Sequence, residues 1–369
     1  MRWKMHGLVV EGRWDHETIG QRWAPSFASL PKARIMPDLV LSLGLTSEVP
    51  QPPGRPPDFQ QGDLLAYYLE DEAEEASDVI AHLPRYGQLR LDLEDGATEG
   101  LITPAALATP GVFEDLVAIG LSPHLRRRGQ YLLHAFAAVS PTPLHLPDST
   151  PGGVSDAEVM ALTPGAPGTL PPFLEARPER PGAGPLQPGS AVLLVGDIGA
   201  GKTTTGLALL HAGWSLLSND SPLLTAGADG VSPQVLAYPG LLSAYPDTLA
   251  RFPELAQVQA EPGREKTLFA AETVFPGVWV ESAAPGAILF PQVEAREAHA
   301  LERLPAAEAL RMLLPHAIEQ WDKAYIAPHL ALLRLFVESA PAYRLRLAPD
   351  TTTLPGLLAG LGSGPVTEE

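Results

Sequence analysis

The sequence predicts an α/β protein built around a phosphate-binding core, with an additional α+β region at the N-terminus. Three observations support this class. The chain has 369 residues, of which 45% are hydrophobic, so it is long enough for two or three domains. Strand-length apolar runs alternate with helical patterns in its second half. Between one such strand and the next helix lies a glycine-rich loop with the residue spacing of a phosphate-binding motif.

Composition and charge exclude several classes of protein. The chain carries 25 Lys and Arg against 43 Asp and Glu, a net charge of −18 that repels nucleic acid and anionic lipid. It has no cysteine, which excludes disulfides, thiolate zinc sites and cysteine nucleophiles. No apolar run has the length of a membrane span, and Met1–Gly20 lacks the apolar core of a secretory signal. We therefore expect a cytoplasmic protein that binds neither nucleic acid nor membrane.

Residues 1–110 form the predicted N-terminal α+β region, which a proline-rich break at Pro50–Pro57 divides. Asp63–His82 begins with a good capping residue and is predicted to be a helix. Its run of acidic residues is interpreted as a solvated helix face, with a metal site as the minor alternative. Gln88–Asp95 alternates leucine with polar residues, which is typical of a half-buried strand.

Residues 111–360 form the predicted second domain. It begins with a helix at Val112–Gly120 and continues with an apolar strand at Tyr131–Ser140. The basic triplet Arg126–Arg128 is interpreted as a solvated helix end, with contact to a phosphate or an acidic partner as the alternative. Pro141–Ser190 contains 12 Pro and 7 Gly, so we expect a Pro/Gly-rich insertion at 141–190.

The last part of the second domain mixes short strands with helices. A strand is predicted at Gly286–Phe290, and helices are predicted at Ala306–Pro315 and Tyr325–Ser339. Residues 361–369 are predicted to form a C-terminal tail.

The strongest motif follows the apolar strand Ala191–Val195 and has the spacing G-x-x-x-x-G-K-T. In such a loop the glycines allow successive backbone N–H groups to face a polyphosphate at a helix N-terminus. Lys202 would reach the β- and γ-phosphates, and the Thr203 hydroxyl would bind Mg²⁺. The predicted nucleotide-binding residues are Gly196, Asp197, Ile198, Gly199, Ala200, Gly201, Lys202, Thr203 and Thr204.

A helix at Thr203–Ala212 and a strand at Trp214–Ser218 follow the loop and predict a compact βαβ unit. Asp220 then lies at the carboxyl end of the strand expected beside the phosphate loop, close to Mg²⁺ and the γ-phosphate. The alternative is an ordinary turn residue at a strand end. The chain has no Asn-Lys-x-Asp motif of GTPases and no Leu-Ser-Gly-Gly transporter signature.

With these motifs the chain resembles the HPr kinase/phosphorylase C-terminal domain and its HPr-kinase-related relatives, which share a core with phosphoenolpyruvate carboxykinase. The phosphate loop followed by a Gly-aromatic-strand-Asp pattern is the specific part of the resemblance, which spans about residues 129–360 without the insertion. The four pieces that carry it are Leu132–Ala135, Gly196–Thr203, Ala212–Asp220 and Gly286–Phe290.

The resemblance implies an HPr-kinase-type P-loop fold that uses ATP and Mg²⁺. It places the phosphate-loop lysine at Lys202, the metal-binding hydroxyl at Thr203 and the proton-accepting carboxylate at Asp220. It also places an upstream active-site histidine at His134, which by itself is more typical of a core residue. A further pair, Arg264 and Lys266, is expected to clamp phosphate or to remain solvated.

Three departures from the family pattern affect the expected activity. Asn219 replaces an aspartate, Thr204 replaces a glutamate, and Ala237–Gly240 lacks both charges of a segment that supplies a second metal ligand. These departures argue against phosphorolysis and against HPr itself as the substrate.

The sequence leaves two main functions open. The first is an ATP- and Mg²⁺-dependent kinase that phosphorylates a hydroxyl on a protein, a peptide or a small alcohol, with Lys202, Asp220 and His134 in the catalytic site and Thr203 and Asp220 at the metal. The second is a nucleotide-binding regulatory module with little or no catalysis, and a plain ATPase is a third alternative. A homo-oligomer is compatible with either.

Overall fold

The structure, a computed structural model, describes residues 1–69, 77–141, 189–258, 265–317 and 319–361. Over these residues the chain is a mixed α/β protein with several sheets, some of which combine parallel and antiparallel strands. Arg264, nearly all of the insertion predicted at 141–190, and the tail beyond residue 361 lie outside the described residues. Within the described ranges, no helix combines the length and the apolar character needed to cross a membrane.

The first part of the chain forms an eight-stranded sheet in the order β1-β2-β3-β8-β7-β6-β5-β4. Strands β2, β3 and β8 are parallel, and the other neighbours are antiparallel. The elements are β1 (Arg2–Met5), β2 (Leu8–Trp14), α1 (Glu17–Ser26), β3 (Leu39–Leu45), β4 (Phe59–Gln61), β5 (Leu64–Tyr68), β6 (Asp78–Leu83), β7 (Gly87–Asp92), β8 (Ala97–Ile102), α2 (Pro104–Ala108) and α3 (Val112–Arg126).

The helix predicted at Asp63–His82 is wrong. Two antiparallel strands, β5 and β6, occupy the described parts of this segment. Alternating side chains of these strands, among them Ala66, Tyr68, Val79 and Ala81, are buried in the core of the first sheet. Burial of one strand face therefore outweighs the helix-starting signal at Asp63. Most of the acidic run lies in residues 70–76, outside the described residues.

The rest of the chain forms a six-stranded sheet in the order β12-β10-β11-β18-β20-β19, a four-stranded sheet in the order β17-β14-β13-β9 and the pair β15-β16. The elements are β9 (Tyr131–Leu132), β10 (Ala135–Val139), β11 (Ala191–Val195), α4 (Lys202–His211), β12 (Ser215–Ser218), β13 (Leu223–Thr225), β14 (Gln234–Leu236), β15 (Leu242–Ala244), α5 (Pro246–Leu249), β16 (Thr267–Phe269), α6 (Ala271–Val274), β17 (Ser282–Ala283), β18 (Pro285–Val293), β19 (Ala300–Leu304), α7 (Ala306–Ala317), α8 (Ile326–Ser339), β20 (Ala342–Leu347) and α9 (Leu354–Ala359).

The six-stranded sheet is the middle layer of a three-layer body. Every residue of β10 and β11 is buried, as expected for strands covered on both faces. Helices α4 and α9 pack on one face, against residues such as Phe136 and Leu194. Helices α7 and α8 pack on the other face, against residues such as Ala137 and Leu193. The buried middle strands thus fix the loop that follows β11.

The strand expected beside the phosphate loop is not β12. Strand β10 pairs antiparallel with both β11 and β12 and therefore separates them. The sequence could not reveal this order, because local patterns identify strands but not their neighbours. Asp220, which follows β12, is consequently two strands away from the loop in the sheet.

Helix α3 connects the two halves of the molecule. Its apolar side chains, including Phe113, Leu116 and Leu121, belong to the core of the first sheet. The boundary predicted at residue 110 falls before this helix, whereas its packing groups it with the N-terminal sheet. The same core extends to Leu223 and Trp321 of the second half.

The interpretation of Arg126–Arg128 as a solvated helix end is wrong for Arg126 and holds for Arg128, which is exposed. Arg126 is 3% exposed, and its guanidinium lies 2.8 Å from Glu319 and 2.8 Å from Asp322. Arg127 also pairs with Asp322, at 3.0 Å. Arg128 donates to the carbonyls of two residues that precede it. Arg126 and Arg127 therefore join the end of α3 to the segment between α7 and α8.

Candidate functional site

The phosphate loop has the backbone that its glycines predict. Gly199 and Gly201 have positive φ values of 85° and 99°, which side chains with a Cβ rarely adopt. Helix α4 begins directly after Gly201. The first amides of a helix have no acceptor within it, so they are available to an anion at this end. A Cβ built on Gly199 would have no heavy atom within 4 Å, so the loop is open on that side.

Lys202 directs its ammonium group over the loop. The side chain is buried, and Nζ donates to the carbonyls of Gly196 and of Asp197, the latter at 3.2 Å. Burial lowers the pKa of Lys202, while the carboxylates of Asp220 and Asp197 oppose this shift and the charge of Lys266 adds to it. A lysine held on loop carbonyls in this way can transfer its hydrogen bonds to phosphate oxygens without leaving the loop.

His134 lies between Lys202 and Asp220. Lys202 Nζ is 3.1 Å from His134 Nε2, and His134 Nδ1 is 3.4 Å from Asp220 Oδ1. An ammonium group only donates hydrogen bonds, so Nε2 accepts, and the ring proton of a neutral His134 is on Nδ1, the nitrogen nearer to Asp220. The three residues therefore form one continuous chain of polar contacts.

The backbone fixes the contact between His134 and Asp220. Strands β9 and β13 pair antiparallel and place Leu132 opposite Leu223. The pairing continues with hydrogen bonds from the Leu133 amide to the Pro222 carbonyl, 3.0 Å, and from the Ala135 amide to the Asp220 carbonyl, 2.9 Å. His134 stands between these two bonds. The predicted histidine and aspartate are thus neighbours although 86 positions separate them, by subtraction of their numbers.

The remaining predicted residues lie around this chain of contacts. Thr203 is half-buried in the first turn of α4. Thr204 Oγ1 is 3.2 Å from Thr248 Oγ1 and therefore faces helix α5. Lys266 Nζ lies 4.7 Å from the centre of the Tyr245 ring. Its partner in the predicted phosphate clamp, Arg264, is outside the described residues.

The sequence did not predict Asp115, which α3 brings to the site. Although Asp115 is exposed at the surface, the protein atoms packed around its carboxyl group and the charges of Asp220 and Glu114 together raise its pKa to about 6, and His134 opposes this shift. Asp115 stands in the first turn of its helix, where acidic residues commonly favour the helix dipole. Its sequence context therefore indicates helix stabilisation, and only the fold shows its proximity to Asp220.

His316, in the last turn of α7, is the second residue that the sequence did not predict. Its carbonyl accepts a hydrogen bond from the His134 amide at 2.8 Å, and the two rings are 6.2 Å apart at an angle of 28°. Burial lowers the pKa of His316, Asp197 opposes the shift, and His134 and Lys202 add to it. No sequence signal marks this residue, because a histidine at a helix end is common in any fold.

The residues present fit a magnesium ion bound together with phosphates. The described residues contain no group of three or more His, Asp or Glu side chains that could hold a metal ion by themselves. Mg²⁺ does not need such a group, because it keeps several waters and usually takes one or two protein ligands plus substrate phosphates. Thr203 and Asp220 supply the hydroxyl and carboxylate oxygens that this ion prefers.

No protein-family model matches the chain, and no curated protein matches it either. The function must therefore be argued from the site itself.

Proposed function

We propose that this chain is an ATP- and Mg²⁺-dependent kinase of the HPr-kinase-related type, which transfers the γ-phosphoryl group to a hydroxyl acceptor. One observation carries the proposal: Lys202, His134 and Asp220 form a continuous chain of contacts at the phosphate loop, with spacings of 3.1 and 3.4 Å. A loop that only bound nucleotide would not need a carboxylate and a histidine side by side at this place.

Each residue of the site has a role in this mechanism. Lys202 and the first amides of α4 bind the β- and γ-phosphates and offset their charge. Asp220 accepts the proton of the acceptor hydroxyl as the new oxygen–phosphorus bond forms and the bond to the leaving ADP oxygen breaks. The Nδ1–H group of His134 orients Asp220. Thr203 and Asp220 would hold Mg²⁺, which supplies charge neutralisation on the phosphates when bound.

Nucleotide binding is tested through Lys202. ATP with Mg²⁺ at about 100 times Kd should stabilise the wild-type fold by about 2.7 kcal/mol, which thermal unfolding detects as a higher Tm. Lys202→Ala should lose most of this gain because it removes the buried ammonium group. Lys4→Ala, on an exposed strand position, is the matched control and should keep it. An unchanged Tm of the wild type with nucleotide would contradict the proposal.

Phosphoryl transfer is tested through Asp220. Asp220→Asn keeps the size and polarity of the side chain but removes its basicity, so transfer should fall by about 10²- to 10⁴-fold. The measurement is incorporation of label from γ-labelled ATP into acceptors of a cell lysate, with free ATP hydrolysis measured in parallel. Asp63→Asn, at an exposed position in the turn between β4 and β5, is the control.

A nucleotide-binding regulatory module remains the second candidate, and one observation favours it. Ala237, in the segment where the family has a charged metal ligand, lies in a buried joint between the two halves of the molecule. His6 Nε2 is 2.6 Å from the Ala237 carbonyl, and the Ala237 amide donates to the backbone carbonyl of Glu281 at 2.8 Å. This segment thus provides structure rather than a carboxylate. Equal labelling by wild type and Asp220→Asn, with nucleotide binding intact, would favour this candidate.

A further inference from the structure

The sequence motifs and the proposed mechanism leave His316 without a role, although it is part of the same cluster. Helix α7 buries Ala309, Leu313 and Ala317 against the six-stranded sheet, which fixes the last turn of the helix. The bond between the His134 amide and the His316 carbonyl, 2.8 Å, then fixes the two histidines relative to each other. Their positions are therefore set by the fold and not by a flexible loop.

The segment that follows α7 is also anchored. Glu319 and Asp322 both pair with the buried guanidinium of Arg126 at 2.8 Å. The ring of Trp321 packs against the same guanidinium, 5.6 Å from its centre. The end of α7 is consequently held on both sides, by the sheet and by helix α3.

The neighbours of His316 point to a ligand. The charged groups that influence its ring are Asp197 of the loop, Lys202 and His134, all members of the phosphate-loop cluster. Among the described residues, none forms a hydrogen bond with the His316 ring, so its nitrogens are available. The His316 ring is half-buried and lies beside the His134 ring, and its N–H group is free. Such a group is suited to donate to a phosphate oxygen.

The position along the cluster indicates which phosphate this is. In the proposed mechanism, Lys202 binds the β- and γ-phosphates, and Asp220 contacts the acceptor hydroxyl. His134 lies between these two residues, and His316 lies beside His134. The phosphate nearest to His316 is therefore the one that is transferred.

We propose that His316 is a further substrate-contacting residue, whose imidazole N–H group donates a hydrogen bond to a γ-phosphate oxygen and so favours ATP over ADP. This inference rests on the proposed nucleotide site, but it does not require that phosphoryl transfer occurs.

The test compares ATP and ADP binding, each with Mg²⁺, by calorimetry. His316→Leu removes the donor and should reduce the preference for ATP, the ratio of the ADP Kd to the ATP Kd, by about tenfold, because hydrogen bonds to charged groups are among the stronger ones. ADP affinity should stay within about twofold of the wild type. His316→Gln, which keeps an N–H donor, should recover part of the preference. His211→Gln is the control, because His211 is an exposed residue at the end of α4 that pairs with Glu254.

The outcomes separate this inference from the proposed function. Equal loss of ATP and ADP affinity in His316→Leu, or no loss of either, would overturn the role of His316 and leave the nucleotide site intact. Absence of nucleotide binding by the wild type would overturn both. If His316→Leu does not fold, nuclear magnetic resonance of the wild type decides: the His316 ring signals should shift with ATP and not with ADP. Identical shifts with both nucleotides would contradict the inference.

Discussion

At the scale of single residues, the site holds ionisable groups in surroundings that disfavour their charge. Lys202 is buried yet positively charged, and Asp115 stands near Asp220 although both are acids. Such arrangements destabilise the fold by themselves, because burial and like charges disfavour ionised groups. Residues of this kind commonly belong to functional sites, where a ligand compensates the local charge.

Asp115 gives a prediction about stability and pH. Its pKa is about 6 in the folded chain against an ordinary value of 3.8, so the folded state holds the extra proton between these values. The free energy of unfolding should therefore fall as the pH rises from about 4 to 6, and level off above that. Asp115→Asn removes this loss, so its Tm should exceed that of the wild type at pH 8 and equal it near pH 4.

The measurement for Asp115 is thermal unfolding at both pH values. Asp63→Asn is the control, and its Tm should change with pH as that of the wild type does. A lower Tm of Asp115→Asn at pH 8 would contradict the prediction. It would mean that the carboxylate contributes contacts that outweigh its electrostatic cost.

The sequence predicted the residues that belong to a local motif and missed those that the fold supplies. Lys202 and Thr203 follow from the loop spacing, Asp220 from its place at a strand end and from the resemblance, and His134 from the resemblance. Asp115 and His316 belong to helices that are distant in sequence and carry no motif. Their proximity depends on the packing of α3 and α7, which no local pattern encodes.

At the scale of elements, helix α4 depends on one close contact with β10. A Cβ built on Gly206 would approach the Phe136 ring more closely than van der Waals contact allows. Phe136 is fully buried in the core on that face of the sheet. The glycine therefore sets the distance between the phosphate-loop helix and β10, the strand that follows His134.

Gly206→Ala should destabilise the protein by about 1 to 3 kcal/mol, because it overpacks this contact although alanine favours helix. Urea unfolding gives the change in free energy. The double variant with Phe136→Leu should recover part of the loss, since it removes the ring. Gly240→Ala, where a Cβ would have no neighbour within 4 Å, is the control and should change stability by less than about 0.5 kcal/mol. Equal effects of the two glycine substitutions would contradict this account.

The elements themselves were predictable to different degrees. The buried strands of the second half and helices α3, α7 and α8 follow from apolar runs and periodicity. The segment at Asp63–His82 was misread, because its capping residue and acidic run outweighed the aromatic pair Tyr67–Tyr68 and the β-branched pair Val79–Ile80. The position of β10 between β11 and β12 in the sheet was not predictable, because local sequence patterns do not specify which strands pair.

At the scale of the whole molecule, two buried histidines lie at the joint between the halves. Burial, together with the charge of nearby arginines, lowers the pKa of His124 to about 4 and that of His329 to about 3. The His329 ring packs at a tilt against Tyr131, with ring centres 4.6 Å apart, and its Nε2 has no hydrogen-bond partner among the described residues. Both histidines are therefore neutral in the folded protein at physiological pH.

This joint predicts a loss of stability in acid. An unfolded chain binds protons on these histidines below pH 6.5, their ordinary pKa, whereas the folded chain does so only near pH 4 and pH 3. His329→Phe keeps the ring contact with Tyr131 and removes the titrating group. Relative to the wild type, it should gain about 2 kcal/mol on going from pH 7 to pH 5.

Urea unfolding at the two pH values measures this gain, and the exposed His211→Gln is the control. The same loss of stability between pH 7 and pH 5 in wild type and in His329→Phe would show that other groups dominate the acid response.

The pairing of β10 with β11 has a consequence for the engineering of this protein. Ser140 and Ser190 are held at hydrogen-bond distance, with the Ser140 amide 3.0 Å from the Ser190 carbonyl and the Ser190 amide 3.2 Å from Ser140 Oγ. The free energy of closing a connection between two fixed points changes with the logarithm of its length, about 0.6 kcal/mol for each doubling. A reporter domain or an affinity tag with closely spaced termini can therefore be spliced between these serines, and the register of the two strands would hold it in place.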